Sequence, residues 1–174
     1  MLAAAPAVAE KGDRSKPIEI QADTSGTTDL LNQVSRFNGH VVITQGTLVI
    51  KADRVEIRQT PDGYYLASAW GNAAAQVSFR QKRDDVDEYI EGRADRVEFD
   101  GKADLLRMIG RGTVRRTQGA RTLDEITGAL ITWNNATEQF SAQSGATAAS
   151  SADSRVRAVL SPRAASQAAS QPAR

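Results

Sequence analysis

Apolar and polar residues alternate in short runs along most of this chain, and in several runs the alternation changes phase. The clearest case is Phe37 to Ile57, FNGHVVITQGTLVIKADRVEI. Val41 and Ile43 mark one period-two run, and Leu48 and Ile50 mark another beyond Gln45-Gly46. Past Ala52-Asp53-Arg54 the apolar positions are Val55 and Ile57, so the period has slipped by one residue. Successive strand side chains point to opposite faces, and an unrepaired slip would turn the core face to water. A bulge or corner at Ala52-Asp53 repairs it. Ile90 to Phe99 slips likewise across Ala94-Asp95, and Ile126 to Trp133 across Gly128-Ala129. Ile18 to Asp23 reads as a shorter first copy. A second marker, an apolar residue followed by a strand-opening glycine, stands at Phe37…Gly39, Trp70-Gly71, Ile109-Gly110 and Phe140…Gly145. These glycines are 32, 39 and 35 residues apart. A loose repeat of that length predicts a stacked or rolled β-architecture.

Read in order, the pattern predicts a strand after Pro17, a polar turn over 24–32 and a returning strand over 30–37. The two strands of the long stretch follow. Thr60-Pro61-Asp62-Gly63 is a turn, because proline presets φ and glycine accepts a positive one. Further strands are expected over 64–69, 73–79, 89–99, 105–109, 113–117, 123–133, 137–142 and 155–160. No apolar spacing of i, i+3, i+4 persists for three helical turns, so the chain is all-β. The expected domain spans 17–162. Residues 1–16 read as a signal-peptide remnant and flexible N-terminus, since Ala7-Val8-Ala9 fits a secretory cleavage site. Residues 163–174, rich in Ala, Ser and Gln, read as a disordered tail.

Composition narrows the chemistry. The 174 residues suffice for one domain with its own core. A net charge of +1 makes no electrostatic case for nucleic acid. The absence of cysteine excludes disulfides, thiolate metal sites and cysteine nucleophiles. No apolar run approaches the ~20 residues of a membrane helix. His40, the one histidine, reads as a solvated side chain at a strand start, because metal and acid–base sites need partners. Neither a G-x-S-x-G elbow nor a P-loop is present. Asp53 and Asp95 invite comparison with a glycosidase carboxylate pair. They occupy equivalent places in two repeats, though, which predicts a row of backbone-bonding carboxylates on the outer edge. The run 84–88 reads as a solvated loop, and Trp70, Phe79, Phe99 and Trp133 as partly core. No catalytic residue, metal or cofactor is assigned. What remains is an apolar face that either packs solid or opens as a greasy groove.

The run G-x-V-x-x-x-Q-G-x-x-x-I-x-A-D-x-V, from Gly39 to Val55, resembles the OstA-like family of periplasmic lipopolysaccharide-transport bridge proteins. Residues 17–23, Gly92-Arg93-Ala94 and 155–162 resemble the start, third repeat and closing strand of that family, so the likeness covers about 17–162. It implies a V-shaped β-jellyroll of about sixteen short antiparallel strands. It also implies a non-enzymatic periplasmic carrier of lipopolysaccharide. Its partners would be a jellyroll component of the inner-membrane ABC transporter complex, the N-terminal domain of the outer-membrane translocon, and further copies of itself. By matching position, the lipid-facing residues would be Ile18, Ile20, Val41, Ile43 and Ile50, then Val55, Ile57, Val77 and Phe79, then Val97, Phe99, Ile131 and Trp133.

Two rivals stand beside this reading. One is the membrane-tethered jellyroll of the same transport system. The other is a polysaccharide-active enzyme using Asp53 and Asp95. The two ends of the domain carry a further expectation. Ile18 and Ile20 at one end, and Val156, Ala158, Val159 and Leu160 at the other, form unblunted strand edges of the kind that pair with another chain. They would join copies head to tail.

Overall fold

The computed structural model describes residues 13, 16–83, 86–134, 137, 139–145 and 155–161. Among these residues twelve antiparallel strands make up one continuous sheet: β1 (Glu19–Gln21), β2 (Ser25–Asp29), β3 (Val34–Gln45), β4 (Leu48–Gln59), β5 (Tyr65–Trp70) and β6 (Val77–Lys82), followed by β7 (Tyr89–Ala94), β8 (Arg96–Asp100), β9 (Leu105–Gln118), β10 (Arg121–Asn134), β11 (Gln139–Gln143) and β12 (Arg157–Leu160). The long strands β3, β4, β9 and β10 bend midway and run through two layers. The first layer takes the order β1, β3, β4, β6, β7, β9, β10, β12; the second takes β2, β3, β4, β5, β8, β9, β10, β11. Each layer therefore holds eight segments, sixteen in all, and the fold is the V-shaped β-jellyroll.

The phase slips are the corners where the chain crosses between layers. Their repair differs from the expectation. Across the first corner Asn38 pairs with Arg54 and Val41 with Ala52, so Gly39-His40 on β3 together oppose Asp53. The extra residue sits on the partner strand rather than at Ala52-Asp53. Likewise Gly128 pairs with Gly112 and Leu130 with Ile109, so Gly110-Arg111 on β9 oppose Ala129. Both bulges place a glycine and its successor in the left-handed region, with φ of 82° and 41° at Gly39-His40 and 77° and 46° at Gly110-Arg111. The glycine takes the steeper angle, where a Cβ costs most.

Three strand expectations are corrected. Residues 25–29 are a strand rather than a turn, and the turn is the short 30–33 segment. Threonine-rich Ser25–Asp29 has no apolar alternation, because its side chains stay largely exposed at a sheet edge. The run expected over 89–99 is two strands in different layers, broken at Asp95. The runs expected over 105–109 and 113–117 are one bent strand, β9. The N-terminal stretch and the tail lie outside the described residues, except Asp13 and Lys16. Asp13, expected in a flexible stretch, is instead buried against the β3–β4 turn.

The buried core draws evenly on the two layers. Val41, Ala52, Val77, Ala94 and Val114 come from the first; Val55, Ala69, Val97, Met108 and Ile131 come from the second. Most of these lie within about three residues of a corner, so the layers pack tightly only at the vertex of the V. Among the described residues no helix is long and apolar enough to cross a membrane.

Candidate functional site

The inner faces of the two layers form a trough. Register and alternation place one row of the first layer across all eight segments: Ile20, Ile43, Ile50, Phe79, Gly92, Val114, Ile126 and Ala158. The facing row of the second layer is Gly26, Phe37, Val55, Ala69, Val97, Met108, Ile131 and Ala142. Neither row contains a polar side chain. Phe79 lies over Gly92, where a Cβ would fall 2.0 Å from its ring, so the missing side chain makes room for the aromatic one.

Burial falls from vertex to lip. In β8, Val97 is 7% exposed, and Phe99, two residues further on the same face, is 37% exposed. Phe99 belongs to an outer row with Ile57, Ala67, Leu106, Trp133 and Phe140. Trp133 and Phe140 stack there at 4.2 Å between centroids. In β8, then, the apolar face becomes wetter away from the vertex, the pattern of layers that splay towards that lip.

Of the residues expected to face the interior, Val41, Val55, Val77, Val97 and Ile131 are in the buried core, and Ile20, Ile43, Ile50, Ile57 and Phe79 pack against it. Trp133 and Phe99 stand on the outer row. Ile18 lies ahead of β1 and is 59% exposed, apart from that packing. Sequence reasoning missed Phe37, Ile90, Leu106, Met108, Ile126 and Phe140. It also missed the vertex alanines Ala52, Ala69 and Ala94, because alanine carries little periodic signal. Trp70 corrects the core expectation. It sits on the outer face between neighbours Arg54 and Arg96, whose guanidinium carbons lie 4.2 and 5.2 Å from its ring centroid.

Beyond the apolar rows, the lip of the first layer is ionic. Arg116 and Asp124 continue the inner face of β9 and β10, and Arg83 and Glu88 flank the β6–β7 connection. Arg116 donates Nε and Nη2 to Asp124 at 2.8 and 2.6 Å and reaches Glu88 at 3.4 Å. Glu88 also receives Arg83, and Asp124 accepts the Ser161 amide at 3.0 Å. On the same lip, Asp13 accepts the Thr47 amide at 2.9 Å, its hydroxyl at 2.5 Å, and the Lys16 ammonium at 3.1 Å. Burial pushes the Asp13 pKa up, but the hydrogen bonds from Thr47, Lys16 and Gln81 outweigh it and leave the pKa below the usual carboxylate value.

The corners carry the row of carboxylates. Asp23 lies 3.3 Å from His40, whose side chain is exposed. Asp53 accepts from Asn72 at 2.9 Å. Asp95 accepts from Arg111 Nη2 at 2.6 Å and from Gln76 at 3.1 Å. Arg111 holds the Asp95 carboxyl below its ordinary pKa. A glycosidase acid needs a raised pKa, so the shift at Asp95 runs the wrong way for that chemistry. Among the described residues no cluster of three or more His, Cys, Asp or Glu is arranged to hold a metal. A depression of about 710 Å³ near Leu105, Asn134 and Phe140 lies mostly on the outward side of the second layer, away from the trough.

Comparison with known proteins accords with this geometry. The sequence model of the family described as LptA/(LptD N-terminal domain) LPS transport protein matches residues 19–139. The lipopolysaccharide export system protein LptA of Escherichia coli K12 is 29% identical over 127 residues, covering 73% of this chain and 67% of that protein. The protein of the same name from Haemophilus influenzae is 29% identical over 142 residues, covering 82% and 78%. The crystal structure of LptH from Pseudomonas aeruginosa, described as the LptA homologous periplasmic component of the lipopolysaccharide transport device, is similar in fold. Its TM-score is 0.70 at 22% identity, over 86% of this chain and 99% of that one.

Proposed function

The chain belongs to the LptA/(LptD N-terminal domain) LPS transport protein family, and from that premise we propose that it carries lipopolysaccharide through the periplasm with the acyl chains lodged in the trough. The observation that carries this reading is the pair of facing rows without a polar side chain, buried at the vertex and open at the lip. Each acyl methylene withdrawn from water gains about 0.8 kcal/mol, so such a surface holds several chains without directional contacts. Chains held without fixed partners are free to slide, which suits a carrier. In this proposal the protein catalyses nothing. It bridges a jellyroll component of the inner-membrane transporter and the N-terminal domain of the outer-membrane translocon, alone or as a head-to-tail series. The shared domain family of LptA and the LptD N-terminus supports such end-to-end joints.

The test uses the two faces of β8. A photo-crosslinking amino acid at Phe99, on the inner face, is expected to attach to lipopolysaccharide; one at Glu98, on the outer face, is not. Equal labelling at both positions would contradict the assignment of the trough.

A further inference from the structure

An ionic network on the wall of a lipid trough needs a reason. Arg83, Glu88, Arg116 and Asp124 are withdrawn from bulk water, with side chains 14, 15, 22 and 26% exposed. Desolvating charges is costly, and replacing such a set with apolar residues is often neutral or stabilising. Here the replacement would also have extended the apolar wall. The four residues instead line the lip: Arg116 and Asp124 stand one row beyond Val114 and Ile126, and Arg83 and Glu88 one row further out, past Gln81 and Ile90.

From this placement we infer that the line is a docking rail for the phosphate groups of a glycolipid head, gripped by Arg83 and Arg116 in competition with the rail's own carboxylates. This inference rests on the carrier reading above. Position supports it first. Acyl chains lying on the apolar rows bring the polar head to the next two rows out, about 7 to 13 Å further along the strands at ~3.3 Å per residue. Chemistry supports it second. Guanidinium forks bind phosphate through paired, charge-assisted hydrogen bonds, and a phosphate has enough oxygens to engage both arginines at once.

The two carboxylates are not equivalent. Asp124 is held by two donors of Arg116 and by the Ser161 amide, so it stays. Glu88 is held closely by Arg83 but meets Arg116 only at 3.4 Å, the longest contact in the rail, and it is on that side that a phosphate displaces it. The internal competitor keeps the grip weak. A conduit must let its cargo go, and a bare arginine pair would trap it.

The experiment measures binding of the full chain to detergent-dispersed bisphosphorylated lipid A and to the same lipid stripped of phosphate. Wild type is expected to favour the phosphorylated lipid by about tenfold, as one or two charge-assisted hydrogen bonds allow. Arg116→Gln is expected to lower that preference and Glu88→Gln to raise it, each by roughly threefold to tenfold. The readout is the ratio of the two affinities, in which a general loss of lipid binding by either variant cancels. Arg116 also braces β9 against β10, so its loss alone is open to a structural explanation, whereas the gain in Glu88→Gln is not.

Inorganic phosphate at tens of millimolar should leave the preference in place, because the acyl anchor raises the local concentration of the lipid phosphate. Phosphate that binds by itself and erases the preference would make this a free-anion site and overturn the head-docking inference. Equal affinity for both lipids, or equal effects of the variants on both, would overturn the rail and leave the carrier standing. Failure to bind either lipid would overturn the two together.

Discussion

One buried carboxylate ties the beginning of the described chain to the lip of the trough. Asp13 is 1% exposed and lies 34 residues in sequence from Thr47, whose amide and hydroxyl both donate to it. Its pKa is lowered in the folded state, so the clasp contributes stability above the unfolded value of about 3.9 and loses it as pH falls through the folded value. Protection of the Thr47 amide, measured against its intrinsic exchange rate at each pH, should therefore be full at neutral pH and fall only as the pH drops through the lowered folded value of Asp13. In Asp13→Asn the protection should be weaker at neutral pH and lose its acid step, because a neutral amide oxygen replaces the charged acceptor. The expected loss of stability is about 1–3 kcal/mol, the cost of leaving buried donors poorly paired. Hydrogen exchange read by NMR checks both statements. A Thr47 amide equally protected in wild type and Asp13→Asn would mean that Asp13 is not its acceptor. Nothing local in the polar run 10–16 announces this contact, since its partner is on a distant turn.

At the scale of elements, the corners decide the fold, and they rest on two left-handed dipeptides. Gly110 has φ of 77°, and a Cβ there would sit 2.5 Å from Asp95 Oδ2. Gly119 has φ of 56° at the β9–β10 turn, with nothing within 4 Å of the same added atom. Alanine at either site incurs the left-handed penalty of about 1–2 kcal/mol. Only at Gly110 must the chain also push aside the Asp95–Arg111 pair that closes the corner. Chemical denaturation should accordingly show Gly110→Ala to be less stable than Gly119→Ala by at least about 1 kcal/mol. Equal losses would show that the corner yields freely. The corners themselves were legible as phase slips at Ala52-Asp53, Ala94-Asp95 and Gly128-Ala129. The strand carrying the extra residue was not. Side-chain phase records which face a residue takes but not its cross-strand partner, so Gly39-His40 and Gly110-Arg111 emerge only with the register. Edge strand β2 escaped for a related reason: Ser25–Asp29 buries too little to alternate.

For the molecule as a whole, the branched and aromatic lining was legible, while the small residues at the vertex were not. Ala52, Ala69 and Ala94 stand where the layers converge and only a methyl group fits, and alanine is too common on surfaces to mark a core. The ionic rail was hidden because Glu88 closes an acidic run that reads as a solvated loop. The strands nearest the two ends of the chain alternate in the sequence, but their place in the sheet comes only with the pairing. Among the described residues, β1 and β2 on one side pair only with β3, and β11 and β12 on the other only with β10. The lengths match across the gap, with five residues each in β2 and β11, three in β1 and four in β12. Val159 and Leu160 are 45% and 72% exposed, as expected of an edge awaiting a strand. If β12 of one copy pairs with β1 of the next, and β11 with β2, both layers continue. Ala158 then leads on to Ile20, and Ala142 to Gly26, along the same apolar rows. Such a contact is heterologous and need not close, so it can grow into a filament. Light scattering should show a mass that rises with concentration without stopping at a dimer. Proline at Val159, or loss of Val156 to Leu160, should shift that rise to higher concentration by about tenfold or more, since both break the backbone pairing of one layer. A strict monomer at high concentration, or a closed dimer indifferent to these changes, would rule out the joint and with it a trough continuous from copy to copy.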